Sequence, residues 1–519
     1  MEEFPSKSAV LDKFLEFLNK NTSLIILIIL VATFLLRLKY MNINAGVWWD
    51  EADYLRLAKH YAFGLQDIAA TYRERAMTMV WGLMYKLGAT DWTIRFIEQL
   101  ISVAAVYFVY LLGKEFYGKN VGLIAASFLA VIWVHMFWAT RISMGLHGMF
   151  LWLVAAYLFW KGYVKNGKWW YVALAAMIIA FGTYAYSAIG LSLFLFLGFI
   201  LITERFKFLR NKRAWIAFFA ALLIIIPFMI YNQVNFGHVY PRFGQNIQHE
   251  WSNLGQGTLE KWETGSVSNF FVYSSNLPSY LTWPLFALLM VGLISVFGNV
   301  LFGFDLLIKG KGDKIKRDLY IFLWAFIVLL MFSIVYTTTH FELDPRFLFP
   351  MYPAVSIIAA VGLLKIYSYL KKYNKILAFV AVATIFSFAI YSNITVADDA
   401  INAKKDTYLG EKEAGLWMRE NSKPEDYIIT CNQEVVFGYY TERNMGSFGA
   451  NVTEADRMIS ELNPKYIVLD IYHPDCAFNL QQESSYKLEP IYVAFMDADK
   501  KQPAVIVYTV LGKREAPEE

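Results

Sequence analysis

The chain has 519 residues, of which 57% are hydrophobic and 17% are charged, and its formal net charge at pH 7 is +4. A soluble domain is typically about a quarter charged, so this composition indicates a polytopic membrane protein and excludes an ordinary globular enzyme. The small net charge gives no indication of a nucleic-acid partner. The two cysteines, Cys431 and Cys476, belong to no CxxC-type metal motif.

An apolar segment of about 20 residues can cross a bilayer, and roughly eleven segments of the chain meet this criterion. They lie approximately at residues 23–39, 95–113, 119–137, 147–163, 169–185, 187–203, 214–231, 280–303, 319–338, 347–370 and 375–393. No cleavable signal pattern accompanies the first segment, so we expect it to remain as a membrane helix. The sequence therefore predicts an α-helical polytopic membrane protein.

The distribution of lysine and arginine predicts the orientation of these spans. Basic residues concentrate in alternate loops, which belong in the cytoplasm together with the N-terminus. The other loops then face outward, at residues 40–94, 140–146, 232–280 and 339–346, as does everything after residue 393. We therefore expect a multi-pass protein of the plasma membrane with an extracytoplasmic C-terminal part.

The first outer loop, residues 40–94, is too long for a simple connector. It contains two amphipathic stretches, 51–63 and 77–87, which we expect to form short helices on the membrane surface. Directly after the first span comes Trp48-Trp49-Asp50-Glu51, with Asp53 two residues further on. Acids beside a bilayer are functional candidates. The plainer interpretations are a helix cap for Asp50 and interfacial anchors for the tryptophans.

The C-terminal part has a different composition. Alternating helix-like and strand-like segments predict a small extracytoplasmic α/β domain at 395–519, after a membrane domain at 1–394 that includes the outer loop 40–94. No glycine-rich phosphate loop is present, so no nucleotide is assigned. Cys431 and Cys476 each follow a predicted strand, and either a disulfide or two free thiols is consistent with the sequence. Asn393 and Asn451 lie in N-x-T sequons.

Further polar residues fall on the predicted outer face. They are Arg73, Glu74 and Arg75 in the first outer loop, Arg141 and His147 after the third span, and His340, Glu342, Asp344 and Arg346 before the tenth. Arginine binds phosphate through a planar fork of donors, and a carboxylate can take a proton from a hydroxyl. Together these groups suit transfer of a group from a lipid phosphate to a hydroxyl. The plainer interpretations are arginines that reach lipid headgroups, a merely polar His147, and Tyr184 as an interfacial anchor.

The ordered set of motifs resembles the GT-C membrane glycosyltransferases, and within them the protein O-mannosyltransferase and aminoarabinose-transferase family (family 39). The motifs that carry the resemblance are the acid pair after the first span, Arg95-Phe96, residues 112–118, Ala139-Thr140-Arg141, residues 346–353, residues 417–421 and residues 439–443. The resemblance implies a GT-C fold, a polyprenyl-phosphate sugar donor and transfer with inversion on the extracytoplasmic face.

The resemblance also implies roles for individual residues. Asp50 is then the catalytic base and Glu51 its companion, and Arg75, Arg141 and Arg346 hold the donor phosphate. Further candidates for substrate binding are His147, Tyr184, His340 and Glu342. The chain departs from the family pattern in two places. Ala76-Met77-Thr78 stands where relatives carry Pro-Pro-Leu, and the acid that many relatives carry after the arginine of the second outer loop is missing, with His147 as its candidate substitute.

The sequence therefore predicts an inverting glycosyltransferase that moves a hexose such as mannose from a polyprenyl- or dolichyl-phosphate donor. The acceptor is a hydroxyl of a protein, lipid or glycan on the outer face. A flippase for lipid-linked sugars, which would carry inverted repeats, and a non-catalytic receptor scaffold are the alternatives. We predict no metal site because no dedicated ligand cluster is present, although a divalent cation at Asp50 and Glu51 stays an alternative.

Overall fold

A computed structural model of the protein describes residues 20–69, 73–239, 270–308, 312–339, 343–449, 451–471, 482–496 and 502–514, together with Glu16, Cys476 and Leu480. The chain divides into two compact units. The first comprises Met1–Tyr40 and Ile97–Ala400, and the second comprises Met41–Phe96 and Ile401–Glu519. We call the first the membrane unit and the second the loop–tail unit.

Helices dominate both units. In chain order they are α1 (Thr22–Tyr40), α2 (Trp49–Phe63), α3 (Ala76–Lys86), α4 (Asp91–Tyr117), α5 (Lys119–Val131), α6 (Trp133–Ala139), α7 (Met144–Phe159), α8 (Trp169–Ala185), α9 (Leu191–Glu204), α10 (Lys212–Phe236), α11 (Val272–Leu281), α12 (Trp283–Phe302), α13 (Phe304–Ile308), α14 (Asp313–Thr339), α15 (Tyr352–Leu370), α16 (Lys375–Ala403), α17 (Leu409–Glu420), α18 (Glu434–Thr441) and α19 (Val452–Leu462). A 3₁₀ turn, Pro345–Met351, leads into α15.

Eight helices of the described part of the chain are long and apolar enough to cross a membrane. The pair α5 and α6, bent by 55°, makes a ninth if it forms one span, and α8 is a shorter apolar helix. Each predicted apolar segment overlaps one or two of the described helices. Helices suit such segments because every backbone group finds its partner within the helix. The predicted α-helical polytopic membrane protein is confirmed, whereas the number of spans stays a prediction.

Two glycines allow α12 and α15 to pack backbone against backbone. A Cβ atom at Gly292 would lie 2.0 Å from the carbonyl oxygen of Ile358, and one at Gly362 would lie 2.2 Å from that of Leu288. Small residues at such crossings let membrane helices approach closely, and the gain is van der Waals contact rather than hydrophobic transfer.

Asn393, from α16, joins two helix breaks in the membrane unit. Its Oδ1 atom accepts a hydrogen bond from the backbone N–H of Trp133, at the start of α6. Its Nδ2 atom donates to the carbonyl of Leu281, the last residue of α11, and to the hydroxyl of Thr282, which lies between α11 and α12. The side chain is fully buried. The sequon at Asn393, predicted to lie on the outer side, is therefore inaccessible to a modifying enzyme in this fold.

A buried arginine stabilises the bend between α5 and α6. Arg37, from α1, donates through Nη2 to the carbonyl of Ala130 across 2.7 Å and through Nε to the hydroxyl of Ser102 across 2.9 Å. His135 Nδ1 lies 2.7 Å from the carbonyl oxygen of Leu129. Carbonyl groups near the bend thus have side-chain hydrogen-bond partners. Such partners allow irregular backbone away from water.

The loop–tail unit contains a five-stranded mixed sheet in the order β2-β1-β3-β5-β4. The strands are β1 (Tyr427–Thr430), β2 (Asn444–Ser447), β3 (Tyr466–Asp470), β4 (Tyr486–Phe495) and β5 (Pro503–Lys513). β1 pairs in parallel with β2 and β3, whereas β5 is antiparallel to β3 and β4.

Helices cover both faces of this sheet. Ala414 of α17 and Phe437 of α18 pack with Val468 on one face. Ala455 of α19 packs with Ile467 on the other face. Successive residues of a strand point to opposite faces, so Ile467, Val468 and Leu469 of β3 are all apolar because both faces of the strand are covered. The predicted small C-terminal α/β domain is confirmed.

The compact loop–tail unit also includes Met41–Phe96. The predicted division into a membrane domain at 1–394, with the loop 40–94, and a soluble domain at 395–519 stays a prediction. Cys431 and Cys476 are joined as a disulfide. Asn451 is exposed, and its side-chain oxygen caps α19 by accepting from the N–H of Glu454.

Candidate active site

The acids after the first span lie in the first turn of α2, which begins at Trp49. Glu51 Oε2 accepts from the backbone N–H of Trp48 at 3.4 Å, so Glu51 contributes the helix cap. Glu51 Oε1 also pairs with Arg95 Nη2 at 2.7 Å, and the Glu51 side chain is only 1% exposed. The capping role that the sequence offered as the plain interpretation of Asp50 is thus filled by Glu51.

Asp50 remains accessible and is held by Arg73. Its side chain is 35% exposed, and its Oδ1 lies 2.8 Å from Arg73 Nη2. The same guanidinium reaches Asp53 Oδ2 through Nε at 2.5 Å. It also lies 5.2 Å from the ring centroids of both Trp49 and Tyr54. Trp49, predicted as an interfacial anchor, therefore contacts this arginine through its ring.

Asp53 is the buried member of the acid group. Its side chain is only 2% exposed. Burial raises the pKa of Asp53 to about 6, while the positive charge of Arg73 opposes this rise. No role was predicted for Asp53. The available signal was its spacing, because residues three apart on a helix share a face, and Asp50 and Asp53 therefore contact one arginine.

Arg75, predicted as a phosphate ligand, is engaged elsewhere in the loop–tail unit. Its Nη1 atom lies 2.7 Å from Asp67 Oδ2 and 3.3 Å from the hydroxyl oxygen of Tyr61. The side chain is buried. Arg73, two positions before Arg75, contacts the catalytic candidate Asp50 instead, although no phosphate or catalytic role was predicted for it.

In the membrane unit, Arg141 and Arg346 contact the same indole. The guanidinium carbon of Arg346 lies 5.0 Å from the ring centroid of Trp138, and that of Arg141 lies 5.9 Å away. Arg141 is closer still to the ring of Phe137, at 4.1 Å, and is almost fully buried. Cations over aromatic faces are stabilised electrostatically. Two residues more than 200 positions apart in sequence thus contact one tryptophan, and their role as phosphate ligands stays a prediction.

The polar contacts of these arginines differ. Arg141 Nη1 donates to the carbonyl of Phe137 and to the hydroxyl of Thr140, at 3.1 and 3.0 Å. Arg346 Nε lies 3.3 Å from Asp344 Oδ2, and its side chain is 21% exposed. The side chain of Arg346 is therefore more exposed than the almost fully buried Arg141.

The remaining candidates are those predicted for substrate binding. His147 Nε2 lies 3.1 Å from Glu98 Oε1, and both side chains are buried. The ring of Tyr184 stacks on that of Phe228 at 4.7 Å, which suits a packing role. His340 and Glu342 lie outside the described residues. Among the described residues, no group of three or more His, Cys, Asp or Glu side chains is arranged to hold a metal ion.

Comparison with known proteins agrees with this architecture. The family model described as dolichyl-phosphate-mannose-protein mannosyltransferase matches residues 77–231. ArnT from Cupriavidus metallidurans, bound to undecaprenyl phosphate, superposes with a TM-score of 0.65 at 12% identity, covering 93% of this chain and 97% of ArnT. No curated protein matches the sequence significantly.

A second structure has the same fold. The oligosaccharyltransferase AglB from Archaeoglobus fulgidus, in complex with an inhibitory peptide and a dolichol-phosphate, superposes with a TM-score of 0.58 at 17% identity. The match covers 88% of this chain and 70% of AglB. The chain is thus a polytopic membrane protein with the GT-C glycosyltransferase fold. Within that class it resembles the protein O-mannosyltransferase and aminoarabinose-transferase family.

Proposed function

We propose that the protein is an inverting glycosyltransferase that uses a polyprenyl-phosphate sugar donor. The observation that carries the proposal is the accessible carboxylate of Asp50, held at the start of a helix by the partly buried Arg73. A general base must be reachable by the acceptor and fixed in direction. In a chain with the GT-C fold, Asp50 meets both requirements better than the almost fully buried Glu51 or Asp53.

In this mechanism, Asp50 accepts the proton of the acceptor hydroxyl as its oxygen attacks the anomeric carbon of the sugar. The bond from that carbon to the phosphate oxygen breaks, and its electron pair leaves with the polyprenyl phosphate. One displacement inverts the anomeric configuration, and a phosphate leaves without needing a general acid.

Arg141 and Arg346 are the residues that we propose for the donor phosphate. Planar guanidinium groups stabilise the negative charge that develops on a leaving phosphate. Their shared contact with Trp138 supports a common role. Arg75 receives no role in this mechanism because its guanidinium is paired with Asp67. Glu51 acts as the helix cap and ion-pair partner of Arg95 rather than as a second base.

The sugar and the acceptor are proposed from the comparisons. The matched family model is described by dolichyl-phosphate-mannose and a protein acceptor, so mannose is the first sugar to test. ArnT and AglB are bound to undecaprenyl phosphate and dolichol-phosphate, which supports a lipid-phosphate carrier. We further propose a multi-pass location in the plasma membrane with the C-terminal domain outside, as the pattern of basic loops predicts.

The test uses the purified full-length protein in lipid nanodiscs with radiolabelled polyprenyl-phosphate sugars and a panel of protein, lipid and glycan acceptors. Transfer by the wild type should fall by about 10²- to 10⁴-fold in Asp50→Asn, the range typical for removing a general base. Asp313→Asn, which changes an exposed acid of the membrane unit, is the matched control and should leave the rate unchanged. Near wild-type transfer by Asp50→Asn would refute the base assignment.

Donor binding is measured separately from turnover. Arg346→Ala should weaken the binding of a non-transferable polyprenyl phosphate, whereas Asp50→Asn should not. Unchanged binding in Arg346→Ala would exclude a phosphate role for Arg346. A wild-type protein that binds such lipids but transfers no sugar from any donor of the panel would exclude the proposed reaction.

A further inference from the structure

The helix that carries Asp50 is attached to the C-terminal domain through Arg56. Arg56 lies in α2, six positions after Asp50, and its side chain is 1% exposed. Its Nη1 atom donates to the carbonyl of Gly438 at 2.6 Å, and its Nη2 atom donates to the carbonyl of Arg443 at 2.9 Å. Both acceptors are close to residue 441, where α18 ends.

The position of these acceptors explains how a buried arginine is tolerated. The last carbonyls of a helix have no partner within the helix, and the C-terminal end of the helix dipole favours a positive charge. Burial lowers the pKa of Arg56 to about 10, with the negative charge of Glu442 opposing the change. Arg56 therefore stays charged at neutral pH. It adds a second donor to the carbonyl of Gly438, which also accepts from the N–H of Glu442, and it bonds the carbonyl of Arg443 just beyond α18.

Further hydrogen bonds join the same two parts of the loop–tail unit. The N–H of Val47, three residues before Asp50, donates to the hydroxyl oxygen of Tyr440 at 2.6 Å. Lys59 Nζ lies 2.8 Å from Glu442 Oε1. The amide of Gln66 bonds both the N–H and the carbonyl of Met445, in the edge strand β2. Residues 438–445 thus hold the outer loop on both sides of Asp50.

We propose that Arg56 is a positioning residue for the glycosyl transfer, and that the C-terminal domain serves to fix the direction of the Asp50 carboxylate. This inference rests on the proposed function in that it takes Asp50 as the base. A displacement of about 1 Å at a reacting group can cost on the order of a hundredfold in rate. Loss of the bonds from Arg56 therefore slows proton transfer without altering the groups that bind the donor.

The experiment compares Arg56→Ala and Arg56→Lys in the full-length protein, with Arg457→Ala as the matched control. Arg457 is an exposed arginine of α19 whose ion pairs are with Glu454 and Glu461 of the same helix. We expect kcat to fall by about tenfold or more in Arg56→Ala, because hydrogen bonds from a charged donor are lost. The donor KM should stay within about twofold of wild type because donor-binding groups are unchanged.

Arg56→Lys should recover part of kcat, because an ammonium group still donates to carbonyls but lacks the guanidinium fork. Hydrogen–deuterium exchange provides a readout that needs no substrate. Amides of residues 49–63 should exchange faster in Arg56→Ala, while the amides of β3 and β5 keep their protection. Arg457→Ala should match wild type in all of these measurements.

Wild-type kcat in Arg56→Ala, or loss of protection throughout the sheet, would overturn the positioning role. If the wild type itself transfers no sugar, the proposed function fails, and the exchange measurement alone decides whether Arg56 fixes α2. Unchanged exchange at residues 49–63 would then refute the inference independently of activity.

Discussion

Arg73 Nε lies 2.5 Å from Asp53 Oδ2, and this ion pair is the buried half of a bridge to Asp50. Asp53 is 2% exposed, whereas Asp50, on the other side of the guanidinium, is 35% exposed. The strength of an ion pair depends on its burial, because water screens exposed charges. The buried acid therefore anchors the arginine, and the arginine in turn orients the accessible acid.

Double-mutant cycles should detect this asymmetry between the two acids. Removing one partner of a buried pair leaves an uncompensated charge and costs about 3–5 kcal/mol, whereas an exposed pair is worth about 0–1 kcal/mol. We therefore expect a larger coupling energy for Arg73→Met with Asp53→Asn than for Arg73→Met with Asp50→Asn. The measurement is thermal or denaturant unfolding followed through exchange of the α2 amides. Equal coupling energies would contradict the anchoring role of Asp53.

Glu411 should make the loop–tail unit less stable as the pH rises. Burial, and to a smaller extent the charge of Asp470, raises the pKa of Glu411 to about 7 from its ordinary value of 4.5. The folded state thus binds the proton more tightly than the unfolded state. The resulting stabilisation is complete below pH 4.5 and is lost as the pH rises through about 7. This stabilisation amounts to at most about 3 kcal/mol.

The pH dependence is measured as the protection of the sheet amides between pH 5 and 8, corrected for the intrinsic exchange rate. Glu411→Gln should flatten the profile because the amide does not titrate. Glu420→Gln changes an exposed acid of the same helix and should retain the wild-type slope. A wild-type slope in Glu411→Gln would assign the dependence to other groups.

Gly292→Ala should destabilise the membrane unit, because its new Cβ would meet the backbone carbonyl of Ile358 at 2.0 Å. Overpacking of this kind costs typically about 1–3 kcal/mol. Gly298→Ala is the control on the same helix, α12, since a Cβ there meets no atom within 4 Å. The comparison is the thermal unfolding midpoint in detergent. Equal midpoints for the two variants would show that α12 and α15 can separate without cost.

Asn393→Ala should cost more than Asn451→Ala. The first change leaves the N–H of Trp133 and the carbonyl of Leu281 unsatisfied in a buried site, at about 1–3 kcal/mol for each group. The second removes only an exposed helix cap, worth about 1 kcal/mol. Thermal unfolding compares the two variants. In a host that modifies N-x-T sequons, mass spectrometry should find Asn393 unmodified, and glycan on Asn393 would show that this region opens.

Local patterns predicted much of the fold. Long apolar segments predicted the membrane helices, because a chain in lipid must satisfy its backbone within each segment. Alternating helix-like and strand-like segments predicted the C-terminal α/β domain, in which β3 is covered on both faces, at Val468 and at Ile467. The acids after the first span were marked as a candidate site, because charges beside a bilayer are costly.

The different roles of the candidate residues were not predictable from local patterns. Three acids within four positions look equivalent in sequence, yet Glu51 caps α2, Asp53 is buried and Asp50 stays accessible. Arg73 and Arg75 are two positions apart and contact different acids. The choice depends on which side chain the rest of the loop–tail unit covers, and a local window does not contain that information.

By itself the sequence determined the class of protein, the helical segments and the place of the acidic cluster, because hydrophobic periodicity and charge act over a few neighbouring residues. Only the tertiary structure decided that Arg73 bridges Asp50 and Asp53, that Asn393 is buried, and that Arg56 meets carbonyls of Gly438 and Arg443. Arg56 and Gly438 are 382 positions apart. Contacts over such separations form only when packed elements bring complementary groups together, so no local pattern encodes them.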